Sequence, residues 1–564
     1  MDNSRLALAV SFSPDSQGRL PSPLRTARFS YTYIFGDGDR RERSLSPMFA
    51  VSSLISSHPT AAVALFAGAL FLGMWKRRDR STLPLLPPGP KKFPLVGHLF
   101  VMPSGRQWET YTVWSKELGS DVIHLDLPGT SIVVLSSMEA AKELFEKRSS
   151  LYSDRPNLPM LVDLMGWGFS VAFMKYGERW RAHRKLLHDG FNTSAAKQFH
   201  TQERAAAHAV LRRILRDPHS SCGDVVEHFR HMAGALVMDI TYGIDVREDE
   251  DPYIRVAEEA MYGMSVASIP GAFLVDSVPI LRYVPDWVPG AGFKRKAKEW
   301  KKFASDLVEV PFKETQRNMN LGKARPSFTF TNLRRLELED NTETDKTKRE
   351  AAIRAAGANM YAAGSDTTVA SLGTFVLGML LNPEVQQKAQ AELDAVLGPG
   401  QLPDFVDEDS LPYVSAIVKE TLRWRPAVPI GVPHYIIVPA NSVIIGNTWA
   451  ILHDETMYPD PDMFDPERFL LDGKLNEEIR HPGAAFGFGR RICPGRHVAS
   501  SALWITIASV LSTYNIGKAT NEDGEVIEPT YEYFLGLISS PLPFKCSFTP
   551  RSAQAVKLIR STTQ

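Results

Sequence analysis

From Met138 onward the apolar residues recur with helical rather than alternating spacing, as in Met138 to Lys147 and Ser194 to Arg216, so the chain reads as α-dominated. The longest such segment, Ala351 to Leu381, is nearly free of charge and is stopped by Asn382-Pro383, the pattern of a helix that runs through a core. Val498 to Ser512 is a second apolar helix. Alternation appears at Val122 to Leu135, where Pro128-Gly129 marks the turn of a β-hairpin in a small sheet. The charged run Arg334 to Glu350 reads as a solvated loop. Two apolar segments broken by Pro and Gly, Pro270 to Val275 and Val284 to Gly290, read as core loops or a mobile lid.

The N-terminal region has a different texture. Residues 1 to 46 are rich in Ser, Arg and Pro and lack periodicity, as in a disordered segment or an artefact of gene prediction, which makes Met48 an alternative start. Ala61 to Trp75 is uncharged, and with Met48 to Thr60 the charge-free length is sufficient to span a bilayer. Lys76-Arg77-Arg78 follows at once, which by the positive-inside rule leaves the rest of the chain cytosolic. A cleavable signal peptide is the rival reading. Leu86-Pro87-Pro88-Gly89-Pro90 then breaks any helix and forms a stiff linker.

Composition narrows the classes. The chain has 564 residues, 44% hydrophobic and 23% charged, which is ordinary globular usage. Its formal net charge is zero, so nothing points to nucleic acid as a partner. The three cysteines, Cys222, Cys493 and Cys546, are far apart and form no CxxC or His/Cys cluster. A disulfide framework and a zinc site are thereby excluded, and a reducing compartment fits.

Cys493 stands in Phe486-Gly487-Phe488-Gly489-Arg490-Arg491-Ile492-Cys493-Pro494-Gly495, a loop whose glycines admit sharp bends and close approach. Arg490, Arg491 and Arg496 crowd the sulfur and favour its thiolate, as does the N-terminus of the helix that follows. Such a thiolate is a ligand or a nucleophile; the bland alternative is a buried structural cysteine. Within the long helix, Ala363-Gly364-Ser365-Asp366-Thr367-Thr368 sets a Gly, an acid and two β-branched alcohols where helix formers are expected, which marks a functional bulge or groove, or small residues that admit a close neighbour. Trp180 and Arg184 share one helix face, and Glu420 and Arg423 lie one turn apart.

The complete spacing Phe-x-x-Gly-x-Arg-x-Cys-x-Gly resembles the haem-binding signature of the cytochrome P450 family, and the other motifs occur in that family's order. The resemblance covers about Leu85 to Ser552, and in texture the chain is similar to fungal microsomal members related to O-methylsterigmatocystin oxidoreductase. It implies a mainly α fold with small β-sheets: one large domain over 93–552, behind an extension (1–46), an anchor (48–75) and a basic, proline-rich hinge (76–92), with a tail at 553–564. It implies haem b with Cys493 as iron ligand, Phe486, Gly487 and Gly495 shaping the loop, and Trp180, Arg184, His434 and Arg491 near the propionates. Thr367 would hold dioxygen or its water and Asp366 relay protons. Glu420, Arg423 and Arg468 would form a buried structural network, and Met165, Trp167, Phe169, Met360, Tyr361, Leu537 and Ile538 would line an apolar pocket.

The implied reaction inserts one oxygen atom into a lipophilic small molecule, a secondary metabolite or xenobiotic. The chain has no dinucleotide-binding GxGxxG after a strand, so electrons come from a separate NADPH-haemoprotein reductase docked near Arg490, Arg491 and Arg496, with cytochrome b5 as a further donor. The implied place is the endoplasmic reticulum membrane, with the catalytic domain in the cytosol. The alternatives are a reductase-independent haem-thiolate isomerase or peroxygenase and a haem-binding but inactive product of a damaged gene. The last is raised by the stretch between Pro433-His434 and Ile437-Val438-Pro439, which is roughly ten residues shorter than in related fungal proteins. That deletion puts in doubt a hairpin of the main sheet and the contact near His434.

Overall fold

The structure, a computed structural model, describes residues 86–562 apart from 95, 104, 128, 217–221, 270, 340–341, 399, 437–441 and 522. The expected extension and anchor lie outside the described residues. Strands β1 (Val122–Leu127) and β2 (Thr130–Leu135) pair antiparallel as the expected hairpin. The helical body comprises α1 (Glu178–Phe191), α2 (His200–Arg216), α3 (Cys222–Tyr242), α4 (Pro252–Ala267), α5 (Gly292–Asn320), α6 (Glu343–Leu381), α7 (Pro412–Trp424) and α8 (Arg496–Thr513).

Helix α6 is the axis of the core. Leu372, Phe375 and Val376 are fully buried in one cluster with Phe229 of α3, Ile417 of α7 and Leu503 and Ile507 of α8. Each such side chain contributes about 1.5–3 kcal/mol of burial free energy. Although α6 is long and apolar enough to cross a membrane, the apolar stretch that qualifies it is 72% buried within the protein, which marks it as a core helix. It also begins earlier than the charge pattern suggests. Thr342 caps it by accepting from the Asp345 N–H, and Glu343 and Asp345 sit in its first turn, where acids complement the helix dipole. Arg334 in turn belongs to the helix Phe328–Leu338, so the charged run is largely solvated helix rather than loop.

Other boundaries shift in smaller ways. Met138 to Lys147 starts as an α-turn and widens to π-helical bonding over Glu143–Lys147, and Ser194 to Arg216 is interrupted by a 3-10 turn at Lys197–Phe199. The tail forms a helix, Ala553–Ser561, with Ile559 buried.

Despite the short connection, the doubted hairpin is present. Strand β3 (His434–Ile436) pairs antiparallel with β4 (Ser442–Gly446), and β4 runs parallel to β2, giving the order β1-β2-β4-β3. Three residues of β3 suffice because its register needs only His434 opposite Ile444 and Ile436 opposite Ser442. A second small sheet joins Tyr514–Lys518 to Cys546–Pro550 near the C-terminus.

Candidate active site

The Cys493 loop closes on itself through a 2.8 Å hydrogen bond from the Cys493 N–H to the Phe486 carbonyl. Gly487 and Gly489 both take positive φ. At Gly489 a Cβ would lie 1.8 Å from the Phe145 carbonyl oxygen, so this position admits no side chain. Gly495 caps α8, which places Cys493 just ahead of that helix.

Of the three arginines near Cys493 in sequence, Arg496 favours the thiolate as expected, while Arg490 and Arg491 do not. Arg490 is exposed and turned toward Ser149 and Tyr176, and Arg491 donates to the carbonyls of Ser153, Val171 and Met174, each at 2.8 Å. The cations that stabilise the thiolate are Arg184 and Arg496, assisted by the Gly495 N–H, and burial outweighs them: the Cys493 thiol is pushed up. To ionise at this depth the thiol would need a further positive centre, such as a bound metal ion supplies.

Cys493 lines a cavity of about 390 Å³ whose wall is mostly apolar. Phe486, Gly487 and Gly495 share that wall with Trp180, Arg184, His434 and Arg491. Arg491 lies over the Trp180 ring at 4.5 Å, and the Trp180 indole donates to the Val171 carbonyl at 3.2 Å. Arg184 makes no hydrogen bond or ion pair among the described residues, although burial holds its guanidinium below its usual range. An unpaired, half-buried guanidinium beside a cavity is suited to a carboxylate. His434 stacks on Phe145 and bonds the Tyr152 carbonyl through Nδ1. Since a carbonyl only accepts, Nδ1 carries the proton, and burial with Arg155 nearby keeps the ring neutral.

Helix α6 contributes Met360, Gly364, Thr367 and Thr368 to the wall. Its hydrogen bonding is α-helical throughout Ala363 to Thr368, so this stretch contains no bulge. Gly364 has a packing role as well, since a Cβ there would meet Val237 of α3 at 3.0 Å. Thr367 lines the cavity, and its hydroxyl donates back to the Ala363 carbonyl at 2.9 Å. Asp366 is absent from the wall. Its carboxylate lies 2.5 Å from Arg230 of α3, which also pairs with Glu258 of α4 at 2.7 Å. Burial pushes the Asp366 carboxyl up, and Arg230 pulls against that shift.

Trp167, Leu537 and Ile538 also line the cavity, but three other expected pocket residues stand elsewhere. Met165 is buried in the neighbouring core cluster, Phe169 stacks against Trp167 from outside the wall, and Tyr361 points its hydroxyl to the Tyr253 carbonyl. Helical phase explains the last case: Tyr361 follows Met360 by one residue, a rotation of about 100°. Glu420, Arg423 and Arg468 come together. Arg423 binds both Glu420 oxygens at 2.6 and 2.7 Å, and Arg468 reaches the same carboxylate at 3.3 Å, with Glu420 and Arg423 fully buried.

Three participants escape sequence reasoning. Arg155 is buried on the cavity wall with donors to the carbonyls of Ala172, Val432 and Pro433; its only signal is an arginine placed between Asp154 and Pro156. Asn359 gives itself away only as an amide inside an apolar helix. Arg230 carries no local signal, because its partners are 28 and 136 residues away.

Together, the core helix, the capped cysteine loop and the apolar cavity between small sheets and helices define a large, mainly helical enzyme. Residues 87–548 match the family described as Cytochrome P450. The chain is 44% identical over 522 residues to Cytochrome P450 monooxygenase 98 of Postia placenta, covering 90% of this chain and 98% of that protein. It is 42% identical over 504 residues to Cytochrome P450 monooxygenase ple1 of Rhodocybe pseudopiperita (87% and 95% covered), and 39% identical over 507 residues to Tryptamine 4-monooxygenase of Psilocybe cyanescens (88% and 98% covered). The chain belongs to the cytochrome P450 family. It is an oxidoreductase of the monooxygenase class, and its cofactor is haem b.

Proposed function

We propose that this chain inserts one atom of dioxygen into a lipophilic small molecule, with Cys493 as the residue that would hold the haem iron and with electrons delivered from NADPH by a separate reductase. The supporting observation is that the Cys493 thiol and the Thr367 hydroxyl line the same apolar cavity. The residues present fit haem b: a thiol in need of a positive centre, an unpaired Arg184, and an Arg491 that has three of its five N–H donors engaged. When bound, the cofactor supplies the electron transfer and dioxygen activation that side chains cannot.

The remaining work falls to the chain. Cys493 would hold the iron, and Arg184 and Arg491, the latter packed on Trp180, would pair with the acidic substituents of the cofactor. The Thr367 Oγ1–H, bonded here to the Ala363 carbonyl, would turn from that carbonyl to serve the cavity, and Asp366, tethered by Arg230, would be the acid from which protons are resupplied through solvent. Trp167, Met360, Leu537 and Ile538 exclude bulk water and orient an apolar substrate.

The anchor read at 48–75, followed by Lys76-Arg77-Arg78, supports attachment to the endoplasmic reticulum with the catalytic domain in the cytosol. The test is a reduced, carbon-monoxide-bound absorption spectrum of the full chain, followed by NADPH-dependent turnover with an added NADPH-haemoprotein reductase. A red-shifted carbonyl band without reductase-dependent oxygenation would leave only a haem-binding protein.

A further inference from the structure

Asn359 sits on α6, eight residues before Thr367, and is 8% exposed. Its side chain is fully engaged. Oδ1 accepts from the Val171 N–H at 2.9 Å, and Nδ2 donates to the carbonyls of Phe169 at 3.0 Å and Ala355 at 2.6 Å. Only this orientation of the amide satisfies all three partners, since both carbonyls accept and the backbone N–H donates.

Val171 is also held from its other side. Its carbonyl accepts from the Trp180 indole at 3.2 Å and from Arg491 at 2.8 Å, while Arg491 takes the Met174 carbonyl as well. The stretch from Trp167 to Phe173 supplies Trp167, Ser170, Val171, Ala172 and Phe173 to the cavity wall. The backbone of this wall has only a 3-10 turn over Trp167–Phe169 and turn bonds back to Trp167 and Ser170, so its placement against α6 and the cysteine loop depends on side-chain bonds, that of Arg155 to the Ala172 carbonyl included. One end of the bonding chain is the helix that carries Thr367; the other is the arginine of the cysteine loop.

We infer that Asn359 is a positioning residue that sets the substrate specificity of the cavity by fixing the Trp167–Phe173 wall between α6 and Arg491. The inference rests on the haem-thiolate reading above. An apolar residue at 359 would leave the Val171 N–H and the Phe169 carbonyl unpaired, and the wall would pay that desolvation or move toward water. Ligands large enough to press on the wall would feel the change. A ligand confined to the iron would not.

The test compares the wild-type holoenzyme with Asn359→Leu. Imidazole and clotrimazole, a small and a bulky nitrogen ligand of the iron, are titrated by the Soret shift, and hydrogen exchange is followed in the peptide spanning 167–174. We expect the reduced carbonyl spectrum to stay as in the wild type, imidazole affinity to stay within about twofold, and clotrimazole affinity to fall roughly tenfold, the equivalent of one or two lost hydrogen bonds. Exchange should quicken in 167–174 and not across the chain. An unchanged ratio of the two affinities, or exchange that quickens everywhere alike, would overturn the inference and leave Asn359 a merely structural residue. If Asn359→Leu does not fold, Asn359→Ser, which keeps a single hydroxyl, must show the same local exchange or the inference fails. Should the wild type itself lack the thiolate spectrum, the assignment of Cys493 falls, while local exchange in the variants still reports on the wall.

Discussion

Asp366 and its neighbour Thr367 face different environments: Thr367 lines the cavity, while the Asp366 carboxylate is tethered 2.5 Å from Arg230 on another helix. If Asp366 has the proton-supplying role proposed above, its protons would have to pass through solvent or a side-chain rearrangement. Replacing Asp366 by Asn should lower turnover by about 10²-fold and raise the solvent isotope effect, with haem content unchanged. Replacing Thr367 by Ala should preserve the haem and divert NADPH-derived electrons to hydrogen peroxide. Stopped-flow rates in light and heavy water, with peroxide assayed against product, separate the two roles; equal behaviour of both variants would contradict the division.

Cys493→Ser should abolish the red-shifted carbonyl spectrum and turnover together, because an alcohol is a poor iron ligand with little electron push. Retention of that spectrum in the serine variant would show that another group binds the iron.

What the sequence reveals follows from the range of the interaction concerned. The Cys493 loop is legible because its glycines answer a demand of the local backbone: Gly487 and Gly489 both take positive φ, which glycine adopts at no steric cost. The buried network around Glu420 is half legible: the acid and Arg423 are one turn apart, while Arg468 arrives from a separate turn. Arg490 and Arg491 mislead because their partners, carbonyls and hydroxyls of the segment 149–176, lie more than three hundred residues away. Of the three arginines near Cys493 in sequence only Arg496 bears on its sulfur, and the other cation that does, Arg184, comes from a distant helix. Tyr361 shows the same limit on a helix, where one residue of phase separates the cavity from the core.

Glu420 accepts from Arg423, Arg468 and the Asp465 N–H while fully buried, so its removal strands two cations. Glu420→Ala should destabilise the fold by about 3–5 kcal/mol. The expected result is protein that accumulates poorly and retains little haem, read from thermal unfolding and haem-to-protein absorbance. A variant with native melting behaviour would show that the network adds nothing to stability.

The last prediction concerns Glu203 on α2, which is buried against α8 and takes one hydrogen bond, from the Ser501 hydroxyl at 2.7 Å, while its second oxygen has no partner. Burial raises its carboxyl from about 4.5 to about 8; Ser501 pulls against the shift, and Glu408 adds to it. Between those two values the folded protein keeps a proton that the unfolded chain has released. Unfolding then releases protons, so stability declines as pH rises from about 4.5 to about 8 and the contribution is fully lost above that range. Glu203→Gln can still accept from Ser501 but cannot ionise. It should match the wild type near the acid end of the window and melt at higher temperature at the alkaline end. Thermal midpoints of the two holoproteins measured across the window decide the matter: curves that diverge with rising pH support a buried neutral Glu203, and parallel curves refute it.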